Sequence, residues 1–231
     1  MRHALSVEAI VEFAPQHPVA VFPLPDVVLF PHTALPLHIF ELRYRTMVRE
    51  ALSSGRLLTL AVLKSGWERC DPDRPEYHPL GCLARIDDVE WLPNDCYDLR
   101  VAGLARVRIG RPTTEYPYRT ARVELVPQAP YPEDDPLVEI ERRALIAACQ
   151  RWREAPAVPG ERRPEAALEA DGRYEGLVNA AGLGLGVPVE EKLAWLALDS
   201  VIERGRRVRE SIDRRLRAGH PPRTHGAGEL N

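Results

Sequence analysis

Short apolar runs interrupted by proline dominate the first part of the chain. Val19–Phe22 and Val27–Phe30 are each followed by a proline, and a third run, Ala34–Phe40, contains Pro36. Because proline cannot donate a hydrogen bond to a ladder, it is tolerated only at strand starts, edges and bulges. The pattern therefore predicts short strands at the rim of a sheet, with a proline-bounded loop between them.

An amphipathic helix and a buried strand are predicted next. Glu41 is well placed against the partial positive charge of a helix N-terminus. Apolar residues then recur at helical spacing as far as Leu52, and Gly55 follows as a stop signal. Beyond it, Leu57–Leu63 is continuously apolar, which is typical of a strand buried on both faces.

Alternating apolar and polar residues predict further strands in the middle of the chain. A polar, proline-rich loop over residues 66–79 comes first, Gly103 interrupts the pattern, and turns are expected at Pro93–Asp95 and Thr113–Pro117. The predicted strands cover residues 80–92, 97–101, 104–109 and 119–126. Short strands joined by turns, without a βαβ rhythm, indicate a closed or nearly closed antiparallel barrel.

The last hundred residues are predicted to be mainly helical. Helical periodicity covers residues 137–153, 174–185 and 188–216, with a break expected at Asp199–Ser200 or at Gly205. Residues 154–172 lack periodicity and predict a mobile loop. The predicted fold is therefore α+β, with three parts: an N-terminal antiparallel barrel over residues 18–128, a helical bundle over residues 134–218 and a disordered tail over residues 219–231.

The opening motifs resemble those of the substrate-binding domain of Lon proteases. That family has Leu-Phe-Pro, Pro-Leu and Ile-Phe-Glu-x-Arg-Tyr, which match Leu29–Pro31, Leu35–Leu37 and Ile39–Tyr44. Gly81–Ile86 and Gly103–Ile109 also fit the family. The resemblance is clear over residues 18–128 and looser over the helical part. It implies a six-stranded, PUA-like pseudo-barrel with one inserted helix.

Composition excludes several classes of protein. A net charge of −3 over 231 residues gives no general attraction to nucleic acid or anionic membranes. No apolar run is long enough to span a bilayer, so no membrane partner is expected. Glu8 and Glu12 interrupt the N-terminus, which lacks the apolar core of a secretory signal. We therefore expect a cytoplasmic protein whose four cysteines are reduced thiols.

The chain lacks the motifs of the catalytic parts of a Lon protease. An ATPase needs a lysine after a glycine-rich phosphate loop, and a serine–lysine peptidase needs a desolvated lysine beside its serine. Lys64 and Lys192 are the only lysines, and neither has such a setting. Gly182–Gly186 follows a predicted helix instead of a strand, so it is a connector and not a dinucleotide fingerprint. We expect no enzymatic activity and no cofactor.

Metal binding is not expected either. His32, His38 and His78 have no cysteine or carboxylate partners at the spacing of metal ligands. Cys82 and Cys96 lie on successive predicted strands, where small buried side chains are the favoured interpretation over a disulfide. The sequence therefore indicates a recognition module without ATPase and peptidase domains.

The resemblance implies that the chain binds exposed apolar or unfolded polypeptide. Its partners would be unfolded or partly folded chains, together with a protease or chaperone if it acts as an adaptor or holdase. Aromatic residues in loops or at strand ends are suited to a peptide-binding surface. The candidate substrate-binding residues are Trp91, Tyr116 and Tyr118.

Two alternatives remain open from the sequence. PUA-like barrels are also used for RNA, and seven arginines lie within residues 203–217. A solvated helix face explains those arginines without RNA, since cations are favoured near a helix C-terminus. Phosphate binding would weaken steeply with salt, which distinguishes the two explanations. The other alternative is a small-ligand pocket in the barrel.

Overall fold

The computed structural model describes residues 17–69, 75–114, 117–156 and 172–218. It contains one sheet, a helix inserted between two of its strands, and a group of helices that follows the sheet. The strands are β1 (Val19–Leu24), β2 (Ala34–Ile39), β3 (Leu57–Leu63), β4 (Tyr77–Trp91), β5 (Tyr97–Thr114) and β6 (Thr120–Leu125). The helices are α1 (Leu42–Ser53), α2 (Pro136–Glu154), α3 (Tyr174–Gly184), α4 (Val189–Ala197) and α5 (Val201–Ala218).

The strands form a sheet that closes on itself. Their order is β2–β5–β4–β3–β1–β6, and β6 also pairs with the second half of β5. Only β1 and β3 run parallel among the described pairs, and the other ladders are antiparallel. This arrangement, with α1 inserted between β2 and β3, confirms the predicted α+β fold with a six-stranded barrel and C-terminal helices.

Helix α1 supplies part of the barrel core. Tyr44, Met47 and Val48 are buried and recur at helical spacing, so they fall on one face of the helix. They pack against inward-facing residues of the strands, including Leu35 and Ile39 of β2. Burial of this apolar stripe, more than the intrinsic propensity of twelve residues, stabilises a helix of this length.

The predicted strand at Val27–Phe30 is wrong, because this segment has no ladder partner. Three of its four apolar residues are nevertheless buried, and they face two different cores. Leu29 packs in the barrel core, whereas Val28 and Phe30 pack with the C-terminal helices. The apolar run therefore reflects burial between two layers and not membership of the sheet.

The predicted interruption at Gly103 is also wrong, because β5 runs without a break through this position. A Cβ atom at Gly103 would overlap the carbonyl oxygen of Phe30 and would lie 3.2 Å from Sγ of Cys82. Glycine is required here because another part of the backbone crosses the strand closely. The residue marks a close approach inside the strand, not its end.

The C-terminal helices share a core with part of the barrel. Helix α4 ends before Asp199 and α5 begins after Ser200, which confirms the predicted break there. Phe30 and Val62 from the barrel belong to the same buried cluster as the helices. The division into parts at residues 18–128 and 134–218 therefore stays a prediction. The predicted tail, and residues 157–171 of the predicted loop, lie outside the described residues.

Two buried arginines bond to the ends of these helices, and the first of them connects the helices to the barrel. Arg106 of β5 donates from Nη1 to the carbonyl oxygens of Leu196 and Leu198, both at 2.9 Å, and from Nη2 to that of Pro127 at 2.6 Å. These acceptors include the last carbonyls of α4, which have no partner inside the helix. The sequence predicted an ordinary alternating strand here, and gave no sign that Arg106 is buried.

The second arginine, Arg204 of α5, is completely buried. It donates to Oδ1 of Asn179 at 2.9 Å and to the carbonyl oxygens of Leu198 and Trp195 at 2.8 and 3.1 Å, and it lies 3.5 Å from Oε1 of Glu175. The pKa of Arg204 is lowered to about 10, mainly by burial and also by the nearby Arg106 cation. The network satisfies a buried charge by many short-range partners.

Candidate functional site

A groove of about 250 Å³ opens on the barrel surface where β1 and β2 end and α1 begins. The loop between β3 and β4 closes its far side with Trp67 and Pro75. Most of its lining is apolar. We call this site the apolar groove; its lining residues are Phe22, Pro23, Leu24, Pro25, His38, Ile39, Phe40, Glu41, Arg43, Tyr44, Leu63, Trp67 and Pro75.

Prolines explain why the walls of the apolar groove are apolar. Pro23, Pro25 and Pro75 carry no backbone N–H, so they leave few main-chain donors at the strand ends. Below them, the rings of Phe22 and Tyr44 pack with their centroids 4.6 Å apart. Burial raises the pKa of Tyr44, as expected for a phenol in contact with an apolar core.

Three large apolar side chains are exposed at the same end of the barrel. Phe40, which lines the groove, is 63% exposed, and Leu42 at the start of α1 is 66% exposed. Trp91, at the end of β4, is 72% exposed and is paired with Tyr97, which in turn is paired with Ile39 of the groove. Several large exposed apolar residues in one region are typical of a binding surface.

Polar and charged side chains around the groove are paired with one another. Nδ1 of His38 lies 2.6 Å from Oδ1 of Asp98, and Nε of Arg43 donates to Oε2 of Glu41 at 2.9 Å. Arg45 of α1 donates to Asp95 in the β4–β5 turn at 3.1 Å. The rim therefore presents paired charges of both signs and no strong field of one sign.

The structure places two of the three predicted site residues. Trp91 is exposed near the apolar groove, as described above. Tyr118 is half-buried, donates to Glu50 of α1, and lines a small neighbouring cavity that shares Pro23 and Tyr44 with the groove. Burial raises the pKa of the Tyr118 phenol, and the Glu50 carboxylate raises it further. Tyr116 lies outside the described residues, and the assignment of all three to a binding site stays a prediction.

Neither Trp91 nor Tyr118 lines the apolar groove itself. Phe22, Phe40 and Trp67 come from three separate parts of the chain, and only the fold brings them together. One local signal was available at Phe40. It lies between the inward-facing Ile39 and the helix start at Glu41, a position where a large apolar side chain has no obvious place in the core.

Neither a metal site nor a pairing of Lys64 with Ser65 is seen in the described part of the chain. No cluster of three or more metal-ligating side chains occurs among the described residues. Lys64 pairs with Glu76 at 2.7 Å on the surface, and the neighbouring Ser65 donates to Glu190 at 3.3 Å. None of the helices in the described ranges is both long and apolar enough to cross a membrane.

Ion pairs occupy much of the arginine-rich helix α5. Arg206 lies 2.7 Å from Glu141 of α2, Arg207 lies 2.9 Å from Glu203, and Arg214 lies 3.3 Å from Glu191 of α4. These acids neutralise much of the positive charge that suggested RNA binding in the sequence. The helix is better explained as a charged face that contacts its neighbouring helices.

The family model of the substrate-binding domain of ATP-dependent protease La (LON) matches residues 18–214. The chain belongs to this family. The resemblance inferred from the opening motifs is thereby confirmed, and it extends through most of the helical part. The comparison gives no support to the RNA alternative.

Related proteins are whole Lon proteases, of which this chain matches a small part. It is 25% identical to the Lon protease of Flavobacterium johnsoniae over 185 residues, covering 80% of this chain and 22% of that protein. It is 30% identical to the Lon protease of Koribacter versatilis over 142 residues, covering 61% of this chain and 17% of that protein. The chain thus spans less than a quarter of the length of these relatives.

Two solved structures share the fold. The N-terminal domain of the Mycobacterium avium complex Lon protease superposes with a TM-score of 0.61 at 19% identity, covering 85% of this chain and 98% of that one. The Lon N-terminal domain protein of Xanthomonas campestris superposes with a TM-score of 0.54 at 18% identity, covering 81% and 94%. At these identities the likeness supports the fold alone.

Proposed function

We propose that this Lon substrate-binding domain recognises exposed apolar segments of unfolded polypeptide through the apolar groove. The observation that carries the proposal is the exposure of Phe40, Leu42 and Trp91 beside a groove with apolar walls. Exposed apolar surface is unfavourable in water, and covering it with an apolar partner is favourable. A folded monomer gains nothing from this arrangement unless a partner covers it.

The paired charges at the rim of the groove are compatible with binding clients of many different sequences. Because the charges around the groove are already paired, they neither attract nor repel a client strongly. Burial of apolar side chains is non-directional and depends mainly on area. The site therefore suits segments that are apolar and accessible, which is what distinguishes an unfolded chain from a folded one.

Further parts of the proposal rest on the family. The matching proteins are Lon proteases, and the matching part is their substrate-binding domain. We extend this to a module that binds clients without catalysing a reaction, as an adaptor or holdase, in the cytoplasm and in association with a protease or chaperone. Trp91, Tyr116 and Tyr118 belong to the proposal as candidate substrate-binding residues.

A pair of matched substitutions tests the site. Phe40→Ser removes a groove residue, and Ile140→Ser removes a side chain of α2 that is also 63% exposed but lies away from the groove. Binding to fluorescein-labelled, reduced and carboxymethylated α-lactalbumin is measured by anisotropy. We expect Phe40→Ser to weaken binding by about tenfold, which corresponds to roughly 1.4 kcal/mol, below the ~1.5–3 kcal/mol of a fully buried apolar side chain.

The control and the melting temperature decide the interpretation. Ile140→Ser should bind as tightly as the parent protein, and both variants should melt close to the parent because both side chains are exposed. Equal weakening by the two substitutions would indicate non-specific adhesion to any apolar patch. If Phe40→Ser binds as tightly as the parent protein, the recognition surface is not the apolar groove.

A further inference from the structure

Strand β2 has one edge without a strand partner. It lies at the end of the strand order and pairs only with β5 among the described strands. The register is continuous from Ala34 opposite Ala102 to Ile39 opposite Tyr97. In an antiparallel ladder the main-chain groups of successive residues point alternately toward and away from the neighbouring strand. One half of the groups on β2 therefore points toward its free edge.

Two hydrogen bonds determine which half this is. The N–H of Gly103 donates to the carbonyl oxygen of Thr33 at 2.8 Å, so the polar groups of Gly103 point toward the β2 side. Just before the start of β5, the N–H of Leu92 donates to the carbonyl oxygen of Cys96 at 2.9 Å, so the polar groups of Cys96 point toward the β4 side. Because the orientation of the main-chain groups alternates from residue to residue, both bonds agree on which residues of β5 point toward β2.

It follows that the main-chain groups of Ala34, Pro36 and His38 point toward the free edge of β2. Leu35, Leu37 and Ile39 instead bond to β5. The position of the proline agrees with the assignment, because a proline in a strand is tolerated where its nitrogen faces away from the ladder. The free edge thus offers two N–H donors and three carbonyl acceptors.

The free edge leads directly into the apolar groove. His38 contributes main-chain groups to the edge and its side chain to the groove wall, and Phe40 follows two residues later. The side chains of Ala34, Pro36 and His38 are all exposed, so the outward face of β2 is not covered by another described element. A strand laid along this edge would carry its side chains past Phe40.

We propose that a client polypeptide binds as an additional, extended strand on the free edge of β2, from Ala34 to His38, with its apolar side chains in the apolar groove. This inference rests on the proposed function and adds the conformation of the client. An unfolded chain of any sequence carries one donor and one acceptor in almost every residue. Main-chain pairing therefore supplies affinity that does not depend on the client sequence, as in other cases of strand addition.

A scan with N-methylated peptides tests the main-chain bonds. The probe is a fluorescein-labelled decapeptide in which valine alternates with serine, with a lysine at each end, and each central amide is methylated in turn. We expect the loss of affinity to alternate, at about tenfold for amides that face β2 and close to none for the others. Equal effects at all positions, or no effect at any, would overturn the inference.

A gain of affinity provides a test on the protein itself. Pro36→Ala restores the N–H that is missing from the middle of the free edge, so the decapeptide should bind several-fold more tightly. We expect the same change to lower the melting temperature slightly, because alanine gives the unfolded chain more freedom. Pro79→Ala, an exposed proline in β4, is the matched control and should leave peptide affinity unchanged.

The outcomes separate this inference from the proposed function. If unfolded α-lactalbumin binds but Pro36→Ala gives no gain, strand addition is wrong and binding through the groove stands. If Pro36→Ala instead produces a dimer in light scattering, the partner of the edge is a second copy of the chain, which also overturns the inference. If neither the unfolded protein nor the decapeptide binds, both proposals fail.

Discussion

Replacing Arg204 by methionine is expected to destabilise the protein strongly. Methionine keeps most of the length of the side chain but removes the guanidinium from a completely buried position. Oδ1 of Asn179 then loses its donor, and the carboxylate of Glu175, which is nearly buried, loses its closest cation. An unpaired buried charge is far more costly than a buried ion pair is favourable.

The expected loss of stability in Arg204→Met follows from the balance of opposing effects. Breaking a buried ion pair typically costs about 3–5 kcal/mol of stability. Removing Arg204 also relieves its repulsion by Arg106 and the desolvation that lowers its pKa, so the lower end of that range applies. Both carbonyl oxygens that Arg204 contacts keep another donor, since that of Leu198 still accepts from Arg106 and that of Trp195 from the N–H of Leu198. We expect a loss of about 3 kcal/mol, or roughly 6–12 °C in melting temperature.

Urea unfolding monitored by tryptophan fluorescence measures this loss, because Trp152 and Trp195 are buried in the same helical cluster. Arg207→Met is the control: this arginine is on the same helix but exposed, in an i,i+4 pair with Glu203. It should change stability by less than about 0.5 kcal/mol. A loss below about 1 kcal/mol for Arg204→Met would refute the reasoning, as would equal losses for both variants.

One glycine and two thiols provide the remaining predictions. Gly103→Ala should lower stability by about 1–3 kcal/mol in the same urea assay, because its Cβ meets the backbone of Phe30, whereas Gly110→Ala on the same strand should cost less. Burial raises the pKa of Cys82 and Cys149 to about 12. Both should therefore resist iodoacetamide at pH 8 until urea is added, and labelling of either in the native protein, seen by mass spectrometry, would contradict their burial.

Local patterns predicted most of the barrel, because each pattern had a local cause. The apolar spacing from Tyr44 to Leu52 identified α1, and the continuous apolar run of Leu57–Leu63 identified β3. The same reasoning failed at Val27–Phe30, since a buried run looks the same whether its partners are neighbouring strands or distant helices. Which of these occurs is decided by contacts far away in the sequence.

The buried arginines and the groove could not be predicted from the sequence. Arg106 bonds to carbonyl oxygens of residues about ninety positions away, and main-chain carbonyls leave no mark in a sequence. Nothing near Arg106 distinguishes it from the exposed Arg108 two residues later. The groove also depends on contacts between distant parts of the chain, because Phe22 and Trp67 become neighbours only when the barrel closes.

The motif Ile39–Tyr44 connects the fold to the proposed binding surface. Ile39 and Tyr44 are buried in the barrel core, while Phe40, between them, is exposed in the groove. The strand ends and the helix begins within these six residues, so successive side chains point in opposite directions. The residues that fix the junction of β2 and α1 therefore also fix the position of Phe40. A binding side chain held by such a junction keeps its place without a partner, which reduces the entropy lost when a client binds.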